Sequence, residues 1–160
     1  RAGMFSENKM WQKLYDGFER GKKETGYNHH KLSYLSDNIH QNHSYMRVYW
    51  SGALYWLKAD IALRERNTGY SLDKALYELH QCCFDRYLSA EEITKQLDKL
   101  TKNSIFTSLF AKFSDSYALP KYINELRSLG IELDAGQVTL KKETKKSHIR
   151  RAIFQGNMSK

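Results

Sequence analysis

Proline is almost missing from this sequence, with Pro120 the only one in 160 residues, and cysteine is confined to the adjacent pair Cys82 and Cys83. No proline-rich, low-complexity or repeated segment divides the chain, so residues 1–160 read as a single helical domain. Neighbouring cysteines rarely bridge each other, because closing the ring strains the peptide between them. Two free thiols are therefore expected, which favours a reducing compartment such as the cytoplasm without excluding export. Long apolar runs are missing too. The densest stretch, residues 48–63, is broken by Ser51, Lys58 and Asp60, whereas a spanning helix needs roughly 18 uninterrupted apolar residues. Membrane insertion is not expected. Metal-binding signatures of the HExxH or CxxC kind are absent as well, and no metal ligand or cofactor site is expected in this chain. The chain opens on Arg1-Ala2-Gly3 rather than Met, read here as a processing or fragment boundary, so any signal peptide lies out of view.

What is present suits a folded domain. Hydrophobic residues make up 41% of the chain and aromatic residues 13%, with three Trp and eleven Tyr, far from the composition of disorder. A compact fold of this size buries roughly 70% of its unfolded surface. The net charge is +8, and Lys141, Lys142, Lys145, Lys146, Arg150 and Arg151 crowd into eleven residues near the end. Such a block can attract polyanions; as a run of like charge it reads more simply as a solvated face.

The hydrophobic spacing predicts an all-α array of about six to seven helices with one small β-hairpin near the C-terminus. A first helix is expected over about residues 6–22, capped by Ser6, with Met10, Trp11, Leu14, Tyr15 and Phe18 on one side. Residues 23–43 hold Gly26, four His and a Ser-Asp-Asn cluster and read as a long connection. Residues 45–66 form a central helix, apolar nearly all round. Ser71 caps the next, whose buried stripe is Leu72, Ala75, Leu76, Leu79 and Cys83. Ser89 and Glu92 make a capping box. Ser104 opens a short fifth helix, and Pro120 suits the first turn of a sixth that ends at Gly130. Residues 131–133 and 138–140 flank Asp134-Ala135-Gly136 as a hairpin, with Gly supplying positive φ. A last helix covers residues 145–154, with Ile149, Ala152 and Ile153 inward, before a frayed tail.

Chemistry is sparse. His29, His30, His40 and His43 share the loop-rich stretch, but His40 and His43, three apart, lack a third ligand and read as surface or capping residues. Cys82 and Cys83 read as thiols on a buried helix face, and Asp60 and Arg64, at i and i+4, as an ion pair. The more informative group surrounds Tyr49 and Gly52. Glycine inside a helix costs about 1 kcal/mol against alanine, so Gly52 suggests close approach of another backbone. Tyr49 lies three residues earlier on nearly the same face. A tyrosine, protonated at neutral pH, can donate its phenolic hydrogen to the oxyanion of a tetrahedral intermediate. The alternative is a core tyrosine with a satisfied hydroxyl.

These residues also carry a resemblance. Arg1-Ala2-Gly3 before a helix, Tyr49-Trp50-Ser51-Gly52-Ala53-Leu54, Ala59-Asp60-Ile61-Ala62-Leu63-Arg64 and Gly69-Tyr70-Ser71-Leu72-Asp73 follow one another in the order and spacing of the C-terminal region of the glycyl-aminopeptidase-like zinc metallopeptidases, a thermolysin-related family. The helix opening at Ser89, the segment 106–113, the Leu119-Pro120 step and Leu129-Gly130-Ile131 resemble that family's closing region, so the likeness covers nearly the whole chain. Ser51 stands where the family commonly has Lys, and Val48 where it has an aromatic residue.

The resemblance implies a helical subdomain of a zinc-dependent peptidase, inactive alone, whose HExxH helix and downstream Glu lie upstream of Arg1. It implies Tyr49 as an oxyanion donor, zinc in the full-length parent only, the upstream catalytic half as partner, and a peptide substrate. The rival reading is a non-enzymatic helical binding module, either a protein adaptor or a basic nucleic-acid binder. Without a helix-turn-helix, zinc finger or aromatic RNA-binding motif, a base-reading role is not expected.

Overall fold

The computed structural model describes residues 4–83, 85 and 87–156; the Arg1-Ala2-Gly3 motif and the tail at 157–160 lie outside the described residues. The described chain is helical, with one small antiparallel hairpin near its C-terminal end. No described helix is long and apolar enough to cross a membrane.

Helix α1, Glu7–Lys23, starts where Ser6 accepts the Lys9 backbone N–H at 3.3 Å, satisfying one of the donors a helix start leaves open. Its Trp11 and Phe18 are buried. The segment expected to be irregular instead winds into a 3-10 turn, Thr25–Tyr27, and two short helices, α2 at Leu32–Asp37 and α3 at Ile39–Asn42. Tertiary anchors explain the difference: Leu32 N–H donates to the Ser116 carbonyl at 2.9 Å, and Leu35 is fully buried. Packing overrides the weak local preferences of a polar sequence.

Helix α4, Tyr45–Glu65, is the central element, packed against α1, α2, helix α5 at Leu72–Cys83, and two later helices, α7 at Ile105–Ser114 and α9 at Ser147–Gln155. Asp60, buried, accepts Arg64 Nε at 2.8 Å and the Leu72 backbone N–H at 2.9 Å. One carboxylate thus completes the expected ion pair and fixes where α5 begins. Ser71 accepts the Lys74 N–H at 3.3 Å, as its capping position requires. Leu76, expected inside, is 39% exposed. The buried side of α5 is narrower than the sequence stripe: Ala75 is fully buried and Leu76 is left at the margin.

Helix α6, Ala90–Thr101, carries the capping box in full: Ser89 accepts the Glu92 N–H, and the Glu92 carboxylate accepts the Ser89 N–H at 2.8 Å. Helix α7, Ile105–Ser114, begins after Ser104 as expected, but the Ser104 side chain makes no capping bond. The buried Asp98 of α6 takes that role, accepting the backbone N–H groups of Phe106 and Thr107 at 2.8 and 2.9 Å. An acidic group reaching a helix start from a neighbouring helix caps it and suits its dipole.

Helix α8, Ile123–Ser128, starts three residues later than Pro120. Tyr122 explains the delay: it is buried and donates its hydroxyl to Glu19 of α1, so the chain must cross to α1 before it can coil. Strands β1, Ile131–Asp134, and β2, Gln137–Leu140, pair from Ile131 opposite Leu140 to Asp134 opposite Gln137. Both turn residues, Ala135 and Gly136, have positive φ, as a two-residue turn matched to strand twist demands. Helix α1 supports the hairpin. Asn8 donates to the Val138 carbonyl at 2.9 Å, and Gln12 accepts the Val138 N–H at 2.7 Å.

Helix α9, Ser147–Gln155, closes the fold, with Ile149 and Ile153 buried. The basic block around it is only partly the solvated face expected. Lys141 pairs with Glu132 and Lys146 with Glu65, both at 2.6 Å, while Arg150 is buried. Its guanidinium binds Glu7 at 2.9 Å and donates to the carbonyls of Leu129, Gly130 and Lys141. One side chain therefore joins the start of α1, the turn before β1, the end of β2 and α9.

Candidate functional site

Position decides what Tyr49 can do. Its ring lies on the first half of α4, 65% exposed, edge-on to Trp50 at 5.0 Å between centroids. Its hydroxyl has no hydrogen-bond partner among the described residues, so it is not the core tyrosine with a satisfied hydroxyl. Tyr45 and Met46 are exposed beside it, four and three residues earlier, and form with Tyr49 an accessible apolar face.

Gly52 departs from expectation. A Cβ added there would meet nothing within 4 Å, so no backbone approaches it. The close approach occurs at Gly17 and Gly21 of α1. A Cβ at Gly17 would lie 2.0 Å from the Trp50 ring, and one at Gly21 would lie 2.7 Å from Trp50 Cβ and 3.2 Å from the Met46 carbonyl oxygen. The spacing of four between these glycines, on the buried side of α1, was the readable signal.

Open space at Gly52 belongs to a cavity of about 320 Å³ between α2, α4, α6 and α7, lined largely by apolar side chains and open to solvent. Behind it lies Arg47, which the sequence reading passed over. Its guanidinium is buried, contacting Ser51 Oγ at 3.4 Å and the Ser116 carbonyl and hydroxyl oxygens at 3.3 Å. Burial lowers its pKa to about 10, partly offset by Glu24, whose carboxylate accepts the Arg47 backbone N–H at 2.6 Å. The Arg47-to-Ser51 spacing of four residues was the available clue.

The chain's similarity to known proteins adds nothing to this geometry. It matches no family profile, no curated protein and no solved structure.

The histidines stay apart from any metal-like cluster. His29 and His30 face each other at 4.1 Å, His30 stacks on Tyr34 at 4.4 Å, and His40 Nδ1 lies 3.4 Å from the Tyr45 hydroxyl. His43 takes a left-handed backbone conformation that ends α3. Among the described residues no three His, Cys, Asp or Glu side chains converge as metal ligands.

Cys82 and Cys83 are not free thiols. Their sulfurs are joined at the C-terminal end of α5, correcting the expectation of two buried thiols on one helix face. Cys82 is exposed and Cys83 half-buried. They are the last two residues of α5, and neither belongs to the buried core.

Proposed function

We propose that this chain is the C-terminal helical part of a zinc-dependent metallopeptidase of the glycyl-aminopeptidase-like kind, forming one wall of its substrate cleft. The observation that carries the reading is the setting of Tyr49: within the motif that gives the resemblance, it stands on an exposed helix face with its hydroxyl uncommitted. A hydroxyl so presented can donate a hydrogen bond to a charge developing on a peptide carbonyl docked against α4. Removing one such donor typically lowers kcat by about 10²–10³-fold.

Helices α1 and α7 hold α4 from behind, and the buried Asp60–Arg64 pair fixes its far end, so Tyr49 sits on a rigid support. Among the described residues no ligand set for zinc converges. On this reading the ion and the residue that activates water belong to an upstream segment.

Two experiments test the reading. The coding sequence ahead of Arg1 is expected to hold an HExxH helix followed by a helix bearing Glu; an open reading frame without them overturns it. In the protein that includes both parts, Tyr49→Phe is expected to lower kcat by about 10²-fold with KM little changed, since only the donor is lost. An unchanged kcat removes Tyr49 from the mechanism.

The basic-block alternative finds less support. Arg150 is buried, and Lys141 and Lys146 are paired with carboxylates, which leaves fewer free cations for phosphate than the sequence suggests.

A further inference from the structure

The cavity over Gly52 has a chemistry of its own. Trp56, Ile93 and Phe110 wall it, and its volume of about 320 Å³ is at the lower end of small-molecule sites, which run from roughly 300 to 1,000 Å³. Among the described residues its one acidic or basic lining group is Asp37, in a chain whose net charge is +8. Asp37 is exposed at the last position of α2 and makes no hydrogen bond or ion pair among the described residues. A negative charge at a helix C-terminus opposes the helix dipole. The fold gains nothing evident from this carboxylate where it stands.

Gly52 presents a parallel case. It weakens the central helix, yet no neighbour requires its missing side chain. Its visible consequence is the depth of the cavity, into whose space a side chain at this position would extend.

Together these features describe an apolar recess with a single acidic group at its mouth. We propose that it binds a small molecule with a compact apolar body and a primary amine, an arylalkyl or alkyl ammonium. The body seats over Gly52 against Trp56, Ile93 and Phe110, and the ammonium meets the Asp37 carboxylate. A carboxylate ligand of the same shape is excluded, because its charge would face Asp37 with no cation among the described lining residues. Tyr49 does not line this space, so the site stands apart from the peptidase reading and survives or fails without it.

Calorimetric titration of the purified chain with 2-phenylethylamine, 2-phenylethanol and 3-phenylpropionate tests the proposal. The amine is expected to bind about three- to five-fold tighter than the alcohol, the size of effect an exposed ion pair supplies, and the acid is expected not to bind. Asp37→Asn should bring amine and alcohol to equal affinity. Gly52→Leu should abolish both while leaving the protein at least as resistant to urea as the parent, which separates a filled cavity from a damaged fold. Gly52→Ala, which occupies less of the space, should weaken binding without abolishing it. Absence of binding by all three probes at millimolar concentration overturns the proposal. So does equal affinity for amine and alcohol in the parent protein, or amine binding that persists in Gly52→Leu.

Discussion

Placing alanine at Gly52 and, separately, at Gly21 makes one chemical change at two helical positions, and the structure assigns opposite signs to the outcomes. At Gly52 the new methyl meets nothing within 4 Å, so the variant regains the helix propensity that glycine forfeits, about 1 kcal/mol. At Gly21 the same methyl would sit 2.7 Å from Trp50 Cβ and 3.2 Å from the Met46 carbonyl oxygen. Neither atom is the free end of a flexible side chain, so α1 and α4 must separate. Overpacking of this kind costs about 1–3 kcal/mol, and the propensity regained offsets at most about 1. The net loss is roughly 0–2 kcal/mol, and because the propensity gain is common to both, the two variants should differ by the overpacking cost, about 1–3 kcal/mol. For a chain of this size each kcal/mol moves Tm by about 2–4 °C. Urea unfolding followed by circular dichroism measures the difference directly, with equal slopes in the two variants showing that the unfolded state is unchanged. If Gly21→Ala stabilises, the packing described for α1 on α4 is wrong; if Gly52→Ala destabilises, the open space described at Gly52 is wrong.

Arg150→Met should be the costliest change in the basic block, by about 3–5 kcal/mol, because it strands Glu7 and three carbonyls that the buried guanidinium satisfies; Lys142→Ala and Lys145→Ala should stay within about 0.5 kcal/mol in the same urea assay. The Tyr122 hydroxyl donated to Glu19, aided by Lys22 and Lys23 against a smaller desolvation effect, holds the Glu19 carboxyl below its ordinary value of 4.5. A depressed carboxyl contributes stability that is complete above the unfolded pKa and fades as pH falls through the folded one. Tyr122→Phe should therefore raise the Glu19 pKa in an NMR titration and flatten the acid limb of the stability curve; a Glu19 titration that does not move refutes the contact. Without reductant, iodoacetamide should label neither Cys82 nor Cys83, and after reduction it should label both. The double change to serine should alter stability little, since a bond between adjacent residues closes almost no loop in the unfolded chain.

Tyr49 could be singled out along the chain from its place three residues before Gly52, but its exposure came only from the fold. The site's other features were harder to read. The spacing of four between Gly17 and Gly21 hints at a close approach, but nothing along the chain marks Gly52 as leaving a cavity, and Asp37 stands out only once α2 sets it at the mouth of that space. Arg150 read as part of a solvated basic face and Arg47 drew no notice, because the carbonyls that satisfy them come from distant segments.

By itself the sequence determined the local elements. The periodicity of α1, α4 and α6, the caps at Ser6, Ser71 and Ser89, the Asp60–Arg64 pair and the hairpin turn at Gly136 all depend on residues a few positions apart. Contacts across the chain decided the rest. Leu32 on Ser116 coiled a segment rich in loop formers, Asp98 replaced Ser104 as the cap of α7, and Tyr122 on Glu19 delayed α8 past Pro120. In each case a hydrogen bond to a distant partner outweighs preferences worth less than about 1 kcal/mol per residue, and such partners are chosen only when the helices meet.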